Sequence, residues 1–457
     1  MNKNTYAIIS VVAAAVLLMW YAFYNRYPLV TGDSGAYVYF AQDFAVLKDR
    51  SSFYSIWLAI TGLRTLEFAG VRGSLWAPVF FQCLLLAILF LRYYRMLGHT
   101  TPVKSIHYLL ATVLVAAFTA VSSIAAFIMP DIFASVLLLA ILLYLYDDKA
   151  SGKICLLYLG LIGFSILVHN SHFLIVPVFC VLMLLFAQLT MQLAVRRRIL
   201  YVLGVSACCW LLVCSINAIY GFGFTLSPGS HVFMAGKLVE TGTMKKYLDE
   251  QCAVKQHKLC RYKDQLPEKA YQYIWADEGP FKKIGGWDSS AGEHKAVIRE
   301  IFTTPKYVAD FAKTALRHSW QQLQFIRIWE HGQTFDKFSA PYMSIEKHVK
   351  FELTQFTGSH QQRRTINNST WIDVQQIVLV LSILGVGILL LRGKLPKHTT
   401  YIYTAIVIFI ICNAFITASF ANVLDRLQTR IFWVLPATNI FVLVNFYWQW
   451  ANKRKIY

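Results

Sequence analysis

The chain has 457 residues, 57% hydrophobic and only 15% charged, against about a quarter charged in soluble domains. That composition excludes an ordinary soluble domain and identifies an integral membrane protein. The net charge of +19 would suit nucleic acid, but its clearest clusters, Arg196-Arg197-Arg198 and Lys453-Arg454-Lys455, flank apolar runs. They read as topology signals facing anionic lipid, so the bilayer is the expected partner and nucleic acid is not.

Taken in chain order, the apolar run at 6–23 is long for a signal peptide and is followed by no small-residue cleavage site, so it reads as a retained first span. A polar and amphipathic stretch follows at 24–73. Further spans are expected at 75–97, 107–127, 132–146, 154–168, 173–193 and 199–220. A polar region at 221–371 interrupts the series, and the last spans are expected at 372–391, 401–420 and 431–450. The expected fold is therefore an all-α polytopic membrane protein of about ten transmembrane helices. A mostly helical extracytoplasmic region lies between spans seven and eight. The domain reading is an N-terminal transmembrane region at 1–220, a soluble region at 221–371 and a C-terminal transmembrane region at 372–457.

An even number of spans places both termini on one side. Lys3, Arg92, Arg95, Lys104, Lys149, Lys153, the triple arginine, Arg392, Lys394, Lys397 and the Lys453 cluster fall on that face, which makes it cytoplasmic. In a cell with an inner membrane the chain belongs there. Seven cysteines lie in apolar segments and read as packing residues, whereas Cys252 and Cys260, eight apart in the polar region, are candidates for a disulfide. Asn367 and Asn368 begin glycosylation tripeptides.

The residues with chemical potential gather on the extracytoplasmic rim. Gly32-Asp33-Ser34-Gly35 puts a carboxylate between two glycines, beside Tyr37, where it can serve as a general base or shape a turn or helix cap. Asp131 follows Pro130 at a second corner of the same rim, where it can cap the fourth span or share an acceptor or a divalent cation with Asp33. His169 and His172, three apart at the end of the fifth span, can hydrogen-bond a phosphate or a sugar. Arg426 and Arg430, four apart before the last span, run against the positive-inside bias; one of them suits phosphate, and a salt bridge with Asp425 is the other reading. In the polar region the turns at Ser227-Pro228-Gly229 and Gly286-Trp287-Asp288 can shape the chain or touch substrate, with Trp287 available to stack on a sugar ring.

An acidic first outer loop with Gly32-Asp33-Ser34, an acidic second corner with Pro130-Asp131, many spans, an outer soluble region and the late Arg426/Arg430 pair together resemble the GT-C superfamily of membrane glycosyltransferases. The resemblance implies a polyprenyl-phosphate-linked sugar as donor and a glycan, lipid or protein as acceptor. It implies Asp33 as catalytic base, Asp131 with His169, His172 and Tyr37 toward the acceptor or a metal, and Arg426 or Arg430 on the lipid phosphate. No cofactor beyond an optional divalent cation is implied. Two further readings stay open at this point: a ligase or polymerase using a lipid-diphosphate donor, and a lipid or solute transporter.

Overall fold

The computed structural model describes residues 3–43, 46–98, 104–327, 333–393 and 395–454; Lys394 and Lys455, and the side chains of Lys3, Asp288, Lys453 and Arg454, lie outside the described set. Among the described residues every regular element is helical, and the only β pairing is an isolated bridge between Leu29 and Phe127. The N-terminal half contains α1 (Lys3–Leu18), α2 (Gly32–Asp43), α3 (Phe53–Thr61), α4 (Trp76–Leu97), α5 (Ser105–Phe118), α6 (Ile132–Tyr146), α7 (Gly152–Leu167), α8 (His172–Leu189) and α9 (Leu193–Ile219). The polar region contributes α10 (Ser230–Glu240), α11 (Thr243–Gln251), α12 (Ala291–Thr303), α13 (Pro305–Gln324) and α14 (Ala340–His348). The chain closes with α15 (Ser369–Leu391), α16 (Lys397–Phe420), α17 (Asp425–Phe432) and α18 (Val434–Arg454).

Among the described residues, six helical segments are long and apolar enough to cross a membrane: α4, α8, α9, α15, α16 and the α17–α18 unit over Asp425–Ala451. All ten expected apolar runs are helical, but α5, α6 and α7 have only 14, 15 and 16 residues. A crossing needs about twenty. The expected spans at 6–23 and 107–127 are each broken in two. α1 stops at Leu18 and a short helix resumes at Trp20; α5 stops at Phe118, where Thr119 is extended, and Val121–Ala125 resumes the helix.

Burial orders the bundle. All fifteen residues of α6 are buried, so this apolar-all-round helix is the centre of the core. α9 and α15 bury only 28% and 22% of their apolar windows, which leaves most of their surface for lipid.

The polar region does not form one cap. Helices α10 to α13 enclose a separate core that includes Leu238, Tyr247, Phe281, Val297 and Ile301, and Cys252 is bonded to Cys260. Residues 333–368 instead fold back onto the transmembrane core, where Ile345, Val349 and Phe356 are buried. Three contacts explain that return. Gly35 lies so close to α14 that a Cβ there would stand 2.4 Å from the carbonyl carbon of Ala340, and Ser344 Oγ donates to the Gly35 carbonyl at 2.9 Å. Gln361 acts like a strand partner for Val30, accepting from its N–H at 3.1 Å and donating to its carbonyl at 2.6 Å. Glu352, almost fully buried, accepts from Tyr27 at 2.8 Å, from the Leu75 amide at 3.2 Å and from Ser74. Burial raises its pKa, and those three donors oppose the shift.

Candidate active site

The segment before α2 is zipped to the corner before α6 by backbone. Leu29 N–H donates to Ala126 O and Ile128 N–H donates to Leu29 O, both at 2.9 Å, and Ser34 Oγ donates to Ile128 O at 2.9 Å. Thr31 caps α2: its Oγ1 accepts from the Asp33 amide at 3.2 Å, while Ser34 Oγ accepts from the Thr31 amide at 2.8 Å. This reciprocal arrangement satisfies the first free N–H groups of the helix. Gly32 to Gly35 is therefore the opening turn of α2 rather than a free turn, and the capping role belongs to Thr31. Asp33 occupies that first turn, where a carboxylate also complements the helix dipole.

Asp33 is 43% exposed, and its Oδ1 pairs with Arg50 Nη1 at 2.8 Å. Arg50 also holds Asp49 Oδ2 at 2.6 Å and lies 5.5 Å over the ring of Tyr37. Burial pulls the Arg50 pKa down, but Asp33 and Asp49 together drive it higher than usual. Tyr37, 5% exposed, is a platform for that guanidinium and is not a surface for an acceptor.

Asp131 does not cap α6, since its carboxylate makes no hydrogen bond there. Its Oδ1 accepts from Arg430 Nη1 at 3.2 Å, and its Oδ2 lies 3.5 Å from Arg426 Nη1. Arg426 is shared, because its Nη2 stands 3.9 Å from Asp33 Oδ2. The four-residue spacing on α17 thus sends both arginines to one place. They are not equivalent there. Arg426 is 23% exposed; Arg430 is fully buried and donates to Asp131, to His169 Nε2 at 3.1 Å, to Ser171 Oγ at 3.2 Å and to Asn413 Oδ1 at 3.0 Å. Its carbonyl accepts from Trp433 Nε1 at 3.1 Å and from Ser135 Oγ.

His169 Nδ1 lies 2.8 Å from Ser171 Oγ. Nδ1 also accepts from the Ser171 amide at 3.2 Å, and Nε2 faces Arg430 Nη1 at 3.1 Å, so donors approach both ring nitrogens. Burial, then Arg430, hold its pKa well below the usual histidine range, so the ring is neutral. His172 is fully buried with Nδ1 at 2.6 Å from Ser165 O, and its ring stacks on His169 at 5.0 Å. It supports His169 and is closed to an acceptor. Trp287 is likewise structural, packed among Phe233, Trp275 and Phe281.

The sequence reading missed Arg50, Asp49, Ser171 and Asn413. Asn413 carried a signal, a lone amide in the apolar stretch Ile410 to Phe415, where an unpaired polar group is costly. Arg50 carried none beyond being a cation in a loop. Beside Arg50 a narrow cleft of about 40 Å³ runs between the 46–53 loop and α9, walled by Val46, Leu47, Phe173, Val213, Ile216 and Leu226.

The two carboxylates do not fit a divalent cation. Asp33 faces Arg50 and Arg426, and Asp131 faces Arg426 and Arg430, so a metal ion there would sit among three guanidinium groups. Among the described residues no three His, Cys, Asp or Glu side chains cluster as metal ligands. No family model, curated protein or solved structure matches this chain.

Proposed function

We propose that this chain is an inverting membrane glycosyltransferase that moves a sugar from a polyprenyl-phosphate donor to a glycan, lipid or protein acceptor. The reading places all ten apolar helical segments across the plasma (inner) membrane, with both termini cytoplasmic and Asp33, Asp131 and Arg426 at the extracytoplasmic rim. One observation carries it: Arg426, partly exposed, stands between the carboxylates of Asp33 and Asp131, groups delivered from three distant parts of the chain. A cation held between two acids beside apolar helices suits a reaction in which a lipid-borne phosphate leaves while a water-side hydroxyl attacks.

The roles follow from exposure. Arg426 takes the donor phosphate, because Arg430 is buried and committed to Asp131, His169, Ser171 and Asn413. Asp33 is the base. Its Oδ1 is tied to Arg50, which leaves Oδ2, 3.9 Å from Arg426, to accept the acceptor's proton. The acceptor oxygen bonds the anomeric carbon as the bond from that carbon to the phosphate oxygen breaks, and Arg426 stabilises the charge that the departing phosphate gains. Asp131 and Arg430 position Arg426 rather than touch substrate.

The test uses the full chain in proteoliposomes with a panel of polyprenyl-phosphate hexoses and pentoses. Asp33→Asn should lower kcat by about 10²–10⁴ with the donor KM unchanged, and Arg426→Ala should raise the donor KM as well. Full turnover by Asp33→Asn removes the base from the mechanism. Transfer from a lipid diphosphate that depends on Arg426 but not on Asp33 selects the ligase reading instead. Lipid or solute flux without covalent product selects the transporter.

A further inference from the structure

A cleft of about 360 Å³ on the α10–α13 unit takes no part in the site above. Lys246, Lys313 and Arg317 line it with Thr241, Thr243 and Thr314, against the single carboxylate of Asp310. Asp310 is already paired with Lys246 at 2.5 Å, while Lys313 and Arg317 make no ion pair or hydrogen bond among the described residues. Two free cations facing hydroxyls in a cleft are suited to an anion with several oxygens.

The helix that carries those cations identifies the source of the anion. α13 buries Tyr307, Phe311, Ala315 and Ser319 on one face. Its opposite face exposes Leu316 and Trp320, 63% and 65% accessible, one helical turn apart and directly beside Lys313 and Arg317. The same helix packs along α16, and Gln322 at its end exchanges two hydrogen bonds with the backbone of Leu424, at 2.8 and 3.0 Å. α16 is one of the membrane-crossing helices, and Phe415, Phe420 and Leu424 on that end are also exposed. α13, with Leu316 and Trp320 exposed, is therefore fastened to the end of a helix long and apolar enough to cross a membrane. Tryptophan and leucine flanked by unpaired cations form the pattern of a helix seated at a membrane surface.

We propose that this cleft binds the phosphate headgroup of an anionic phospholipid, with Leu316 and Trp320 seated among the upper acyl chains, so that α13 docks the soluble unit onto the bilayer. Lys313 and Arg317 supply the charge, Thr314 supplies a hydroxyl donor, and the docking fixes the height of the unit above the membrane. The inference is independent of sugar transfer.

Hydrogen exchange of the full chain in nanodiscs tests it. One set holds phosphatidylcholine alone; the other holds about one third phosphatidylglycerol. Peptides covering 241–251 and 305–324 should gain protection in the anionic discs, and K313A/R317A should reduce that gain roughly thirty-fold, about five-fold per cation. L316S/W320S should also reduce it, and K313R/R317K should keep it. Glycerol 3-phosphate added to phosphatidylcholine discs should not reproduce it. Equal protection in both lipids, an unchanged gain in K313A/R317A, or full protection by soluble glycerol 3-phosphate would each overturn the proposal, the last by making the cleft a site for free anions.

Discussion

Replacing Asp131 by alanine asks whether Arg430 is held by charge compensation or by packing alone. Arg430 is fully buried, and its hydrogen bonds reach one ionised group, Asp131 at 3.2 Å, and three neutral ones, His169, Ser171 and Asn413. Asp131→Ala leaves that guanidinium inside the bundle with another cation, Arg426, on the other side of the vacated carboxylate. Removing one partner of a buried pair costs about 3–5 kcal/mol, a factor of roughly 150 to 5000 in the folded-to-unfolded ratio. Reversible unfolding of the full chain by SDS in mixed micelles, followed by far-UV circular dichroism, measures it. Asp131→Leu combined with Arg430→Met deletes both charges and should recover part of the loss, since the uncompensated charge is gone while His169, Ser171 and Asn413 lose their donor. A loss below about 1 kcal/mol for Asp131→Ala, or a double variant no more stable than the single one, refutes the reasoning.

Three other outcomes are expected. Gly35→Ala places a methyl 2.4 Å from the Ala340 carbonyl carbon, so α14 must shift at a cost of about 1–3 kcal/mol, seen as a lower melting temperature; unchanged melting contradicts the close approach. His294, buried between Tyr273 at 2.8 Å and Ser290 at 3.2 Å, has its pKa pushed down to about 3 by burial and by His231. Below about pH 6.5 the unfolded chain binds the proton that folded His294 refuses, so stability present at pH 7 is lost as pH falls toward 3, with a limiting slope of about 1.4 kcal/mol per pH unit. Protection factors against hydrogen exchange in α10–α13, corrected for the intrinsic rate, that are as high at pH 5 as at pH 7 exclude this. Cys252→Ser opens a loop of sequence separation 8 and should destabilise the same unit by roughly 2–3 kcal/mol, an effect that reductant reproduces on the native chain.

The helices were legible because burial in lipid demands long apolar runs, and each of the ten runs is helical. Their breaks were not: the helices stop at Leu18 and Phe118 within apolar runs, with no mark on hydropathy. Asp33, Asp131, Arg426 and Arg430 were legible as ionisable groups at rim positions, where retention needs a reason. Their division of labour was not. Arg430 is buried facing Asn413, His169 and Ser171, 17 to 261 positions away in sequence, while Arg426 reaches Asp33, and that is set by helix packing. The return of residues 333–368 was equally hidden. Glu352 and Gln361 look like surface residues in a polar segment, and their partners Tyr27 and Val30 lie more than 300 positions away.

The sequence separation of 299 between Asp131 and Arg430 has a consequence for biosynthesis. A ribosome working at about 5–20 residues per second needs roughly 15–60 s to make the intervening chain. Throughout that interval the acid exists without the two arginines that later face it. Arrival of α17 ends the wait. A nascent protein released before residue 425 therefore carries Asp131 without either of its arginine partners.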